Sequence, residues 1–247
     1  VIVAVANLKG GTGKTTTTFH IARYFASQGR TTLAVDLDDQ SNLTSLLTSE
    51  LPREHNIAQI FTSKSDPPTP MQVGLNLDLI GADDTLSEYE SGPEYERSFR
   101  LRELLSVLSY DVVVCDTPTH LGLSVTNALI AADCVLIPVR PDRFNRDAMA
   151  RLFSRIVFVR EHGNASLKIA GMILNAVQER TSYAKAFAPM LRETYDAAVF
   201  NTVIPSSIRV TQALDIPQPV WEFAPNEKVS VAWKSFLGEL ERTLWGT

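Results

Sequence analysis

Along the chain, short aliphatic and β-branched runs alternate with longer segments whose apolar residues recur at helical spacing. Ile2–Ala6, Thr31–Leu37, Leu75–Ile80, Asp111–Cys115, Cys134–Val139, Lys168–Leu174 and Val199–Ile204 read as strands. Thr15–Ser27 carries Phe19, Ile21, Ala22 and Phe25 and reads as a helix ended by Gly29. Tyr95–Leu108, Ser124–Ala131, Phe144–Arg160 and Tyr183–Tyr195 have helix length. Val231–Leu244 spaces Trp233, Phe236, Leu237, Leu240 and Leu244 as a helix packed on the core. Val112–Val114 and Val135–Ile137 are apolar at every position, as in strands covered on both faces. This alternation predicts an α/β fold: a mostly parallel sheet flanked by helices on both faces, in a single domain spanning 1–247. Ser63–Pro70, with three prolines, reads as a surface loop of that domain.

Composition narrows the picture. Of 247 residues, 45% are hydrophobic and 21% charged, which suits a chain with a sizeable core and excludes a disordered or disulfide-stapled one. Cys115 and Cys134 sit in strand-like runs and read as reduced core thiols of a cytosolic protein. The apolar runs fall short of the roughly 20 residues that span a bilayer, so no membrane span is expected. No leader peptide is expected either, because the chain opens on a strand at Val1. The net charge of −5 hides an asymmetry: residues 140–192 hold ten Lys/Arg against four Asp/Glu, a net of +6, which leaves −11 for the rest. Such a segment is either a local anion-binding face or a set of solvated helix charges, with Arg151, Arg155 and Arg160 on an exposed side.

The informative chemistry lies between the first strand and the first helix, in Lys9-Gly10-Gly11-Thr12-Gly13-Lys14-Thr15-Thr16. Glycines let backbone N–H groups turn inward around phosphate oxygens, and the helix N-terminus adds its positive end. Lys14 can reach the β- and γ-phosphates, and the Thr15 hydroxyl can bind Mg²⁺. Asp36, Asp38 and Asp116 end predicted strands, where an open parallel sheet presents its ligand crevice. Carboxylates beside Thr15 suit Mg²⁺, which takes few protein ligands.

The ordinary phosphate-loop pattern fails at Leu8, where its first glycine belongs, and Lys9 adds a second lysine. The segment resembles the deviant Walker A motif of the ParA/MinD ATPases. Val35-Asp36-Leu37-Asp38-Asp39-Gln40-Ser41-Asn42, Val112–Pro118, Thr126–Leu129, Val135–Val139 and Val203–Arg209 resemble further motifs of that family. The nearest likeness is to short ParA/Soj-type partition ATPases. The resemblance implies a P-loop fold with ATP and Mg²⁺, and a homodimer that sandwiches two ATP molecules. Lys9 then reaches the partner's nucleotide, Asp116 and Asp36 serve the metal shell, and Asp38 orients the attacking water. Gly10, Gly11, Thr12, Gly13, Lys14, Thr15 and Thr16 hold phosphates, while Asn175, Pro205 and Ser206 meet adenine. The likeness also implies non-specific DNA binding through Arg180, Lys185 and Arg209, and a ParB-like or cargo-adaptor protein that stimulates hydrolysis. The location implied is cytoplasmic and nucleoid-associated. Asp39 and Thr119-His120 depart from the family pattern, which has proline and Pro-Ser there. The alternative is a MinD-like membrane-associated positioning ATPase; the tail pairs Lys234 and Arg242 with Glu239 and Glu241, a poor anchor for anionic lipid.

Overall fold

Side chains alternate across β1 (Ile2–Val5), β2 (Thr32–Asp36) and β5 (Val112–Asp116). Val3, Val5, Ala34, Val112 and Val114 join one apolar layer; Ala4, Leu33, Val35, Val113 and Cys115 join the other. Both faces are covered, so these strands need no polar positions. The computed structural model describes residues 1–62, 66–90, 96–141, 144–178, 182–195 and 198–246. Within them, β3 (Met71–Gly74), β4 (Leu77–Ile80), β6 (Cys134–Val139), β7 (Lys168–Val177) and β8 (Val199–Pro205) complete an eight-stranded sheet. Its order is β3-β4-β2-β5-β1-β6-β7-β8. Only the β3–β4 pair is antiparallel.

Helices cover each face. The first layer is closed by α1 (Lys14–Ser27), α2 (Asn42–Leu47), α7 (Ile208–Asp215), α8 (Val220–Phe223) and α9 (Lys228–Trp245). The second is closed by α3 (Arg100–Ser106), α4 (Leu123–Ala131), α5 (Arg146–His162) and α6 (Ser182–Tyr195). Phe19, Ile21, Ala22 and Phe25 of α1 are all buried, and α9 buries Trp233, Phe236, Leu237 and Leu240. The mostly parallel α/β sandwich is the architecture the sequence predicts.

Several local expectations are corrected. A strand beginning at Leu75 is replaced by a hairpin: Leu75 sits at its tip, 84% exposed, and Asn76 turns the chain with φ 57°. The helix expected over Tyr95–Leu108 is a tight turn at Glu96–Phe99 followed by the shorter α3, and Tyr95 lies outside the described residues. Of Ser63–Pro70, residues 66–70 have no regular structure and the first three lie outside the described residues. Of Arg151, Arg155 and Arg160 on α5, only Arg151 is exposed. Arg155 donates to Thr126 Oγ1 at 3.2 Å and Arg160 to the Leu167 carbonyl at 2.8 Å, both half-buried. Cys115 and Cys134 are free and buried in opposite layers, and burial pushes each thiol up to about 12.

Candidate nucleotide-binding site

The carboxyl ends of β1, β2 and β5 meet at one point. Val5 pairs with Asp116, and Asp36 pairs with Asp116 from the other side. The chain leaves β1 through Asn7, whose amide donates to the Pro138 carbonyl at 2.8 Å and whose Oδ1 accepts from the Lys9 N–H at 3.0 Å. Gly11 and Gly13 then take φ of 73° and 91°, conformations that side-chain-bearing residues rarely adopt. A Cβ on Gly13 would also collide with the Asn175 amide. Gly13 precedes α1 with no side-chain cap, so the first N–H groups of the helix are open to an anion.

Around that helix start lies a cleft of about 570 Å³. Gly11, Gly13, Lys14, Thr15 and Thr16 line it, together with Asp38, Thr119, Leu214, Asp215 and Pro217. Lys14 is only 6% exposed. Burial lowers its ammonium pKa, against the opposing pull of Asp116 and then Asp38. Thr15 Oγ1 donates to Asp116 Oδ2 at 2.6 Å, and Thr18 Oγ1 to Asp116 Oδ1 at 3.3 Å. Burial, then the neighbouring Asp36, pushes the Asp116 carboxyl up to about 8. A divalent cation between Thr15 and Asp116 would reverse that shift, and an oxygen-only donor pair at a phosphate loop fits Mg²⁺.

Asp36 is fully buried and already engaged. Its Oδ2 accepts from the Thr44 N–H and hydroxyl, both at 2.8 Å, and its Oδ1 from the Asp38 N–H at 3.1 Å. Asp36 therefore ties α2 to the sheet and sets the backbone that carries Asp38. Asp38 itself lines the cleft, and its Oδ1 accepts from the Gln40 N–H at 3.1 Å. Burial raises the pKa of both carboxyls.

Asn175, the residue expected at the adenine, stands at the phosphate loop. Its amide donates to the Thr12 carbonyl at 3.0 Å, so it clasps the phosphate loop from β7. Pro205 and Ser206 close β8 beside it, and neither lines the cleft; Ser206 donates its N–H to the Val177 carbonyl at 2.9 Å. Arg209 opens α7, 45% exposed, with Nε 3.4 Å from Glu227 Oε1. Arg180 and the side chain of Lys185 lie outside the described residues. His120 is half-exposed, with Nε2 3.8 Å from Glu90 Oε2. Thr18, Thr44 and Asn7 complete the site without having been singled out from the sequence. Thr18 stands three residues after Thr15, on the same helix face, so that spacing was a usable signal. Nothing local marks Thr44.

Residues 1–169 match the family described as AAA domain. The chain is 32% identical over 234 residues to the sporulation initiation inhibitor protein Soj of Bacillus subtilis, covering 92% of each chain. It is 32% identical over 250 residues to the chromosome-partitioning ATPase Soj of Thermus thermophilus, covering 96% of this chain and 94% of that one. Its fold superposes with a TM-score of 0.82 on cobyrinic acid a,c-diamide synthase from Mycobacterium smegmatis with bound ATP analogue and magnesium, at 25% identity over 100% of this chain and 96% of the other. A TM-score of 0.86 relates it to the ATP complex of a single-substitution variant of Cyanothece McdA; at 23% identity, with 98% and 95% coverage, that likeness speaks for the fold alone. With 32% identity to both Soj proteins over more than nine-tenths of its length, the chain belongs to the ParA/Soj-type partition ATPases.

Proposed function

We propose that this chain is a Mg²⁺-dependent ATPase that closes into a homodimer around two ATP molecules and binds DNA without sequence preference in that state. Hydrolysis stimulated by a ParB-like or cargo-adaptor partner then releases it, so that it positions DNA or another cargo. The observation that carries the reading is the buried Lys14 beside Thr15 and Asp116 at an uncapped helix start. The relative with bound ATP analogue and magnesium supports it. Bound Mg²⁺ would neutralise phosphate charge between Thr15 and Asp116.

The protein's own groups supply the rest. Loop N–H groups and Lys14 hold the phosphates, Asp38 orients the attacking water, and Lys9 adds a cation to the partner's nucleotide on closure. Phosphoryl transfer needs positioning and charge neutralisation more than a strong base. Asn175 fixes the loop, and Pro205 and Ser206 at the adjoining strand end meet the adenine. Against membrane attachment, α9 buries its apolar face, and no helix among the described residues is long and apolar enough to cross a membrane.

Calorimetry with ATP and Mg²⁺ tests the core of this reading. Lys14→Ala should weaken nucleotide binding at least tenfold, about 1.4 kcal/mol. Asp38→Ala should bind ATP, lose turnover and persist as a dimer on size exclusion, while Lys9→Ala should not dimerise. Unchanged affinity in Lys14→Ala removes the phosphate-loop assignment.

A further inference from the structure

The segment joining Asp116 to α4 borders the nucleotide cleft through Thr119. Its start is pinned: Thr117 Oγ1 donates to the Val5 carbonyl at 2.9 Å. Its end is held from far away in sequence. α4 opens at Gly122, which has no side chain to cap it. The carboxylate of Glu90 takes that role, accepting the Leu123 N–H at 2.7 Å and the Ser124 N–H at 3.1 Å. A Cβ on Gly122 would collide with that carboxylate, so the glycine is what admits it.

Glu90 is itself firmly placed. It follows the tight helix Asp84–Tyr89, whose Leu86 is buried in the second layer. Arg97 donates to the Tyr89 carbonyl, and Tyr89 packs against Phe61 with ring centroids 6.2 Å apart. His120, within the bordering segment, faces the same carboxylate. A charge-assisted bond to a helix start is stronger than a neutral one and also complements the helix dipole.

We infer that Glu90 is a positioning residue for hydrolysis: it fixes the far end of residues 117–122 and so holds Thr119 against the phosphate side of the cleft. The inference rests on the ATPase reading above. Glu90 touches no part of the phosphate loop, so its loss should act on turnover and spare binding.

Four forms of the full chain test this: wild type, Glu90→Ala, Gly122→Ala and the double variant. Turnover is measured with ATP and Mg²⁺, affinity with a non-hydrolysable ATP analogue, and folding by thermal melting. Glu90→Ala should lower turnover about tenfold and leave affinity within about twofold. Gly122→Ala should do the same by displacing the intact carboxylate, and the double variant should be no worse than the poorer single one. Glu90→Gln, which keeps one acceptor oxygen, should recover part of the loss. Turnover within twofold of wild type in Glu90→Ala, additive losses in the double variant, or affinity falling in step with turnover would each overturn the role. A wild-type chain that binds no nucleotide would instead overturn the ATPase reading and this inference with it; normal wild-type turnover beside an unaffected Glu90→Ala defeats the inference alone.

Discussion

His20 shows how much one residue of α1 does away from the cleft. Its Nδ1–H donates to the Thr16 carbonyl at 2.7 Å, while Nε2 accepts the Val220 N–H at 3.2 Å. The ring stacks on Trp233 at 4.4 Å and is fully buried, so the neutral form is favoured and its pKa is held down at about 4. The unfolded chain, with an ordinary pKa near 6.5, therefore binds more protons between those values, and stability rises with pH across that window. Lowering the pH from 7 to 4 should cost up to about 3 kcal/mol from this group. Urea midpoints from pH 4 to 7 should fall on the acid side in wild type and flatten in His20→Gln; equal slopes in both would assign the loss to other groups. Asp116 titrates in the opposite sense. Burial pushes its carboxyl pKa up, so binding of Mg²⁺ and ATP near pH 7 should release protons. Calorimetry in buffers of different ionisation enthalpy reads that number, and a buffer-independent heat would count against Asp116 as a metal ligand.

Among the elements, α9 illustrates stabilisation by a buried stripe. Trp233, Phe236, Leu237 and Leu240 recur at helical spacing, and each is wholly buried against the layer that includes Phe19 and Phe25 of α1. Phe200 of β8 meets Phe236 edge-on at 5.2 Å, and Glu239 accepts the Asn201 and Thr202 N–H groups at 3.2 Å each. α9 thereby covers the edge strand as well as the helix that begins at the phosphate loop. Trp233→Ala should cost about 3–5 kcal/mol by leaving a cavity and removing the partner of His20. Chemical denaturation measures this directly, and a loss under 1 kcal/mol would mean that the stripe collapses to refill the space. Most of α9 was legible from spacing alone. Its start three residues earlier was not, because Glu227 marks that end without a capping side chain.

For the whole molecule, charge decides how DNA could be held. A chain of net charge −5 repels phosphate on average, so binding needs local cations brought together. Arg209 is one, but it shares an exposed contact with Glu227, a pairing of little strength that phosphate can replace. Under the proposed function, closure around ATP would double the available cations. If the dimer neutralises about four phosphates, the log–log salt slope on duplex DNA is about −3.6. Arg209→Glu should abolish the shift of a DNA fragment yet keep ATP-dependent dimerisation, and Glu227→Gln should strengthen binding. Tight binding without nucleotide, or an undiminished Arg209→Glu variant, would refute an ATP-gated DNA face.

The sequence by itself determined what is periodic or contiguous. Apolar runs placed the central strands because both sheet faces are buried, and glycines next to lysine and threonine marked the phosphate loop because backbone curvature there demands them. Tertiary structure decided what depends on distant partners. Leu75 belongs to a hairpin tip because β3 pairs back on β4, and Asn175 reaches Thr12 because β7 lies two places from β1. Asp36 is spoken for by Thr44 only once α2 has folded over β2. Glu90 caps a helix 33 residues downstream, a contact that no local pattern encodes, since only the packed second layer brings the two segments together.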